Sequence, residues 1–174
     1  MFINLSDVLS ELHKPIDQVV PVEMESIETP LGSMPIVEKE DAHIVVKHVK
    51  QKQLTIDGTC RLVLELLCDR CLEPVETVFE LNFSKAVDLA TDENQVDELD
   101  EKNYIDGYNL DVDKLLYNEM LIGWPMKILC SETCKGICNT CGQNLNKGTC
   151  NCEDTSLDPR MSVIRDVFKN FKEV

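Results

Sequence analysis

The cysteines at 68 and 71, and again at 130, 134, 138, 141, 150 and 152, constrain this chain more than any other feature. Six of them fall in the stretch CSETCKGICNTCGQNLNKGTCNC, from Cys130 to Cys152. That stretch has too few apolar residues to fold by burial alone, so its sulfurs must hold something. The N-terminus, MFINLSDVLSELHKP, has neither a basic n-region nor an unbroken apolar h-region, so no signal peptide is expected. The expected location is the cytosol, where reducing conditions disfavour structural disulfides and leave metal or redox roles.

Zinc takes four soft or borderline ligands in a tetrahedron, with Zn–S near ~2.3 Å. A two-residue gap lets the backbone turn so that both sulfurs and several N–H groups face one ion. Cys138-Asn139-Thr140-Cys141 has that gap, and Gly142 behind it supplies the positive φ such a turn favours. Cys68-Asp69-Arg70-Cys71 is the same device. One partition puts Cys68, Cys71, Cys130 and Cys134 around one Zn²⁺, and Cys138, Cys141, Cys150 and Cys152 around a second. The alternative is a single zinc on Cys134, Cys138, Cys141 and either Cys150 or Cys152, with Cys68 and Cys71 free. Cys60 alternates with Ile56 and Leu64 and reads as an inert core thiol.

A catalytic zinc keeps a coordination position open and recruits His or a carboxylate. His13, His43 and His48 are distant in sequence, and all-sulfur sites are closed, so the expected role is structural. Residues 130–152 should then order only with metal. CDRC could mimic a thioredoxin motif, but that motif needs a helix N-terminus, and extended segments flank it here. Oxidative release of metal from zinc-thiolates is the competing reading. GICNTCG lacks the lysine and spacing of a phosphate-cradling loop, and there is no nucleophile elbow. No enzyme and no small-molecule substrate are expected.

Charge narrows the partners. The formal net charge is −15. Residues 1–123 carry 10 Lys+Arg against 26 Asp+Glu, while 124–174 carry 7 against 6. A broad non-specific nucleic-acid surface is excluded, because such binding rests on Lys and Arg displacing phosphate counterions. Direct RNA contact would fall to the near-neutral C-terminal third, and a basic protein partner suits the remainder. No run of 18 apolar residues is present, so no membrane span is expected.

The order of elements follows from periodicity. LSDVLSELHK suggests a short helix with Ser6 as N-cap, Val8, Leu9 and Leu12 on one face, and Pro15 as its end. VVPVEMESI looks extended, and HIVVKHVK reads as a strand. In QLTIDGTCRLVLELLC the residues Leu54, Ile56, Gly58, Cys60, Leu62, Leu64 and Leu66 share one face. Val75, Thr77, Phe79, Leu81 and Phe83 repeat that period, so two half-buried strands form a hairpin with CDRC at its tip. Asp88 to Asp113 carries ten acids and one Lys, which marks a solvated loop or an acidic docking arm.

NLDVDKLLYNEMLIGWP predicts a helix capped by Asn109 or Asp111, with Val112, Leu115, Leu116, Met120 and Leu121 as its stripe and Gly123 and Pro125 as its stop. LDPRMSVIRDVFKNF predicts a last helix, with Asp158 as N-cap and Pro159 at its first position. The expected fold class is α+β: an antiparallel β-hairpin sheet packed with a few helices, plus a C-terminal zinc-knuckle region. The expected divisions are a β-rich body at 1–123 with its acidic loop at about 88–106, a cysteine-rich zinc-binding region at 124–156, and a helix at 157–174.

The hairpin CDRCLEPVE, the run LIGWPMKILCSETC and the tail CKGICNTCGQNLNKGTCNCEDTSLDPR resemble the YceD family, the large ribosomal RNA subunit accumulation proteins. The likeness runs from INLSD to the DPR helix. Asn139 stands where the family pattern has Pro, which leaves the sulfur positions intact. The resemblance implies a bacterial or organellar protein needed for normal 23S rRNA levels, acting in rRNA processing or large-subunit assembly without demonstrated catalytic residues. Family genes tend to neighbour that of a small zinc-bearing ribosomal protein, which implies ribosomal company. On that basis Lys135, Lys147, Arg160 and Lys169 are the expected contacts to large-subunit rRNA or an assembly intermediate. A basic ribosomal protein is a further candidate for the acidic arm. The alternative class is a redox-responsive zinc-thiolate switch or stress chaperone.

Overall fold

The structure is a computed structural model that describes residues 1–10, 13–29, 32–50, 53–88 and 103–152. Most of the acidic loop (89–102), Leu12, and the expected C-terminal helix with Arg160 and Lys169 lie outside the described residues. The chain divides into two compact units. The first comprises Met1–Leu66 and Glu76–Met126; the second joins Leu67–Val75 to the segment from Lys127 onward.

In chain order the described elements are β1 (Phe2–Asn4), α1 (Ser6–Leu9), β2 (Ile16–Val20), β3 (Ser26–Thr29), β4 (Gly32–Lys39), β5 (Ala42–Lys50), β6 (Gln53–Leu67), β7 (Pro74–Asp88), β8 (Ile105–Asp106), β9 (Asn109–Asp111) and α2 (Val112–Ile122). Six strands form one sheet in the order β2-β5-β6-β4-β3, with β7 also paired to β6. The other three form a second sheet, β1-β9-β8. The expected α+β class and antiparallel hairpin are found, with two helices among the described residues. None of these helices is long and apolar enough to cross a membrane.

The period of two builds the core of the first unit. Leu54, Ile56, Gly58, Cys60, Leu62, Leu64 and Leu66 are all buried along β6, as the alternation predicts. On β7, Phe79, Leu81 and Val87 are buried, and Phe83 is half-buried. Gly58 has a steric reason: a Cβ there would clash with the ring edge of Phe83, which covers the glycine from β7. Gly58→Val should therefore lower unfolding free energy by about 1–3 kcal/mol through overpacking. Urea titration checks this, and Phe83→Ala in the same chain should recover part of the loss. Cys60 is buried and its thiol donates to the Glu40 carbonyl at 3.5 Å. Burial first, then the charges of Glu40 and Asp41, push that thiol up to about 11, as suits a core residue.

The helices meet expectation at one cap and depart from it in two places. Asp111, not Asn109, caps α2, its carboxylate accepting from the Lys114 N–H at 3.2 Å. Val112, Leu115, Leu116 and Met120 are buried, but Leu121 is 46% exposed. It lies about 100° round the helix from Met120, outside the stripe. In α1, Ser6 is the first helical residue and Leu5 occupies the cap position. Leu5 is fully buried with its N–H on the Tyr108 carbonyl at 2.7 Å, and Asn4 Oδ1 accepts the Ser6 N–H at 2.8 Å. The helix ends at Leu9, well before Pro15.

Strands β4, β8 and β9 carry no clear sequence signal. β8 and β9 join through Gly107-Tyr108, with positive φ (58°) at Gly107 alone, the pattern of a type II′ turn. β9 then pairs with β1, Ile3 facing Leu110. Lys85 of β7 meets Glu119 of α2 at 2.6 Å, and Lys85 Nζ sits 5.6 Å from the centre of the Tyr104 ring. The Tyr117 hydroxyl donates to the Glu28 carbonyl of β3 at 3.2 Å.

Candidate metal centres

Chain turns bring the eight cysteines into two groups of four, Cys68, Cys71, Cys130 and Cys134, then Cys138, Cys141, Cys150 and Cys152. Within each group all four sulfurs lie within 4.8 Å of one another. Cys68 Sγ is 3.8 Å from Cys134 Sγ, and Cys71 Sγ is 3.5 Å from Cys130 Sγ. A tetrahedron with metal–sulfur bonds of ~2.3 Å has edges of about 3.8 Å, so the spacing suits four thiolates sharing one ion. All nine cysteines are free thiols. The two-group partition is thus the one the fold assembles; Cys134 lies with Cys68, not with Cys138.

The first group is built from two segments. The hairpin tip is closed by the Cys68 N–H on the Glu73 carbonyl (2.9 Å) and the Leu72 N–H on the Cys68 carbonyl (2.9 Å). Residues 128–130 lie against it: the Asp69 N–H donates to the Ile128 carbonyl at 2.8 Å, and the Asp69 carboxylate accepts the Ile128 N–H at 2.7 Å. Arg70 Nη1 donates to the Cys134 carbonyl at 2.8 Å, while the Arg70 carbonyl accepts the Ile137 N–H at 3.0 Å. Cys68, Cys71 and Cys134 are buried with Val75, Leu129 and Ile137 packed on them. The second group is a local loop. The Cys138 N–H donates to the Gln143 carbonyl at 2.9 Å, the Gly142 N–H donates to the Cys138 carbonyl, and Gly142 takes φ +74° as the turn requires. This group is more open, with Cys141 exposed and the other three half-buried.

Backbone N–H groups aim at the sulfurs. The Cys130 N–H reaches Cys68 Sγ at 3.4 Å and the Thr140 N–H reaches Cys138 Sγ at 3.4 Å. Burial works against the Cys68 thiolate, yet the N–H groups of Cys130, Arg70 and Cys71 outweigh it and bring the thiol down to about 6. Cys134 is also lowered: burial is overcome by the Asn146 amide and the Gly136 N–H. At Cys71 the Glu73 N–H favours the thiolate, but burial and the other sulfurs drive it up to about 12. Cys130 is raised chiefly by Cys134. The second group repeats this. The N–H groups of Cys141 and Thr140 lower Cys138 to about 6, and the Cys141 sulfur raises Cys152 to about 12. At Cys150 the Cys152 N–H favours the thiolate, but the Cys138 sulfur, burial and the Cys141 sulfur together raise it. Four sulfurs this close resist full ionisation until a cation shares the space, so the donor set fits a divalent metal.

The expected contact residues separate. Lys147 Nζ is held by Glu73 Oε1 at 2.7 Å, which lowers the Glu73 carboxyl and raises the Lys147 ammonium. Lys135 has no ion pair among the described residues, and its side chain is exposed. Sequence reasoning assigned no role to Asn144 and Asn146, which knit the second loop to the first cluster. Asn146 Nδ2 donates to Cys134 Sγ at 3.3 Å and its Oδ1 accepts the Lys135 N–H at 2.8 Å. Asn144 Nδ2 donates to Glu73 Oε1 at 3.1 Å. Their only sequence signal is the repeated amide in Gln143-Asn144-Leu145-Asn146. Because partners of ligating sulfurs tune affinity, Asn146→Ala should weaken metal retention about 10–100-fold. Competition with a chromophoric chelator measures it, and an unchanged affinity would remove Asn146 from the site.

Among characterised proteins, the chain is 29% identical over 132 residues to large ribosomal RNA subunit accumulation protein YCED homolog 1, chloroplastic, of Arabidopsis thaliana, covering 59% of this chain and 40% of that protein. It is 26% identical over 149 residues to the Zea mays protein of the same description, covering 69% and 50%. The chain thus spans half or less of the length of these relatives. No solved structure matches. The family model described as large ribosomal RNA subunit accumulation protein YceD matches residues 56–168, which contain all eight clustered cysteines, and the chain belongs to the YceD family.

Proposed function

We propose that this chain is a non-catalytic factor that holds two Zn²⁺ ions and supports accumulation of large-subunit rRNA during ribosome assembly. The observation that carries this reading is the all-sulfur make-up of both clusters: each brings together four cysteines, with no His or carboxylate in either group among the described residues. Zinc suits an all-sulfur tetrahedron, has no redox chemistry of its own, and acts as a brace when no position is left for water. The family supplies the process, in agreement with the relatives' names. The partners on this reading are large-subunit rRNA or an assembly intermediate, with a basic ribosomal protein on the acidic body. The cytosol is the compartment whose thiol pool keeps such cysteines reduced.

Two measurements test the reading. Elemental analysis of protein purified under reducing conditions should find about two zinc ions per chain, as two four-thiolate sites require. Crosslinking in cells followed by sequencing should recover large-subunit rRNA or its proteins. Absence of both partners would overturn it.

The exposure of the second cluster favours one competing reading, a switch that releases metal on oxidation. Peroxide titration with a zinc-release dye separates the two. Release at low oxidant with a gain of holdase activity supports the switch, and retained zinc supports the brace.

A further inference from the structure

The second unit contains an open cleft of about 670 Å³ whose wall includes Arg70, Leu72, Lys135, Ile137 and Leu145, and which Cys138, Cys150 and Cys152 of the second cluster also border. That volume lies within the about 300–1,000 Å³ of small-ligand sites. Three features of its wall, the third arising from the first two, ask for an occupant.

The first is Leu72. It follows Cys71 as Gly142 follows Cys141, and it takes the same left-handed conformation, φ 59° against 74°. Glycine adopts that conformation freely, whereas a leucine is strained there. Leu72 is also 58% exposed. An apolar side chain thus stands in a strained backbone position without being buried in return, and strain of this kind gathers where a ligand is met.

The second is charge. Arg70 and Lys135 line the cleft and have no ion pair among the described residues, Arg70 Nη1 donating only to the Cys134 carbonyl, although the chain has a net charge of −15. Lys147 is already held by Glu73, and Asp69 by the Ile128 N–H. The third is the pairing of the two: apolar side chains and a guanidinium border one opening. An unstacked base can rest on a guanidinium plane or be held between apolar side chains, while cations meet the phosphates. A stacked duplex keeps its bases inside and cannot use such walls.

We propose that this cleft seats an unpaired nucleotide of single-stranded RNA, the base against Leu72 and Ile137 and the phosphate on Arg70 and Lys135. The proposal rests on the reading that the cysteine-rich unit meets rRNA and names where.

The test uses the full metal-loaded chain and fluorescein-labelled RNA of about eight nucleotides, within the span of single-strand sites, beside a duplex of the same sequence. Single strands should bind and the duplex should bind more weakly. Leu72→Gly should weaken single-strand binding about tenfold, the loss of one apolar side chain buried against the base, without lowering the melting temperature, because glycine relieves the strain. Lys135→Ala should weaken all sequences alike and reduce the salt slope by about 1. Wild-type affinity in Leu72→Gly, or equal binding of duplex, would overturn the cleft. Ultraviolet crosslinking in cells with peptide mapping separates the two levels. Adducts at Leu72 or Ile137 support the site. Adducts on other peptides overturn the cleft and leave the rRNA reading intact. A protein crosslinked through the cleft in place of RNA overturns the cleft proposal, and loss of every rRNA adduct overturns direct RNA contact as well.

Discussion

A chelator that strips the metal should abolish amide protection over residues 67–75 and 127–152 while the strands of the first unit stay protected. Among its described residues the second unit has little else to hold it. The cluster of buried residues there is Cys68, Cys71 and Cys134 with three half-buried aliphatic neighbours. The first unit, in contrast, buries Leu5, Ile27, Ile44, Leu54, Ile56, Leu62, Leu64, Leu66, Leu110, Leu115, Leu116 and Met120 almost completely. Structural zinc contributes about 10–16 kcal/mol of apparent binding free energy at neutral pH in small domains. That is as large as the whole stability margin of a typical protein. Metal removal should therefore unfold the second unit outright, and zinc added back under reducing conditions should restore protection. Hydrogen exchange read by mass spectrometry decides it. Unchanged protection at 127–152 would mean the sulfurs are not a brace.

The second large effect lies in the first unit. Lys85 and Glu119 are only 21% and 11% exposed and stand 2.6 Å apart. Glu119 Oε1 is buried and has no hydrogen bond beyond this ion pair among the described residues. Lys85→Met would leave that carboxylate inside without its cation, and breaking one side of a buried pair costs about 3–5 kcal/mol. Replacing both residues with apolar ones removes the uncompensated charge. Lys85→Met with Glu119→Leu should thus recover most of the loss. Urea unfolding of the two variants measures this. Equal stability of the single and double variants would show that the pair is effectively solvated.

Where the signal was local, the sequence was readable. Seven alternating positions of β6 announced a buried face, and the C-x₂-C turns announced the sulfur clusters with the partition the fold assembles. Where the determinant was distant, it was silent. Strand β4 has no buried residue and contains Pro35, so nothing in its composition marks it; its place comes from pairing with β3 and β6. Strand β9 is three residues long and is defined by β1, more than a hundred positions away. Lys147 read as a free cation because Glu73, its partner, is 74 residues distant. Leu72 gave no warning either, since a positive φ at a leucine is invisible until the backbone is in place.

The two clusters differ in how far apart their ligands lie along the chain, and this orders their completion during synthesis. The second spans Cys138 to Cys152, whereas in the first Cys71 must wait for Cys130, 59 positions later. At about 5–20 residues per second, translation leaves the thiols of the hairpin tip without their partners for about 3–12 s. On the proposal that each cluster holds zinc, a nascent chain short of the ion during that interval is open to mispairing at Cys68 and Cys71, so zinc supply during translation should set how much protein matures correctly.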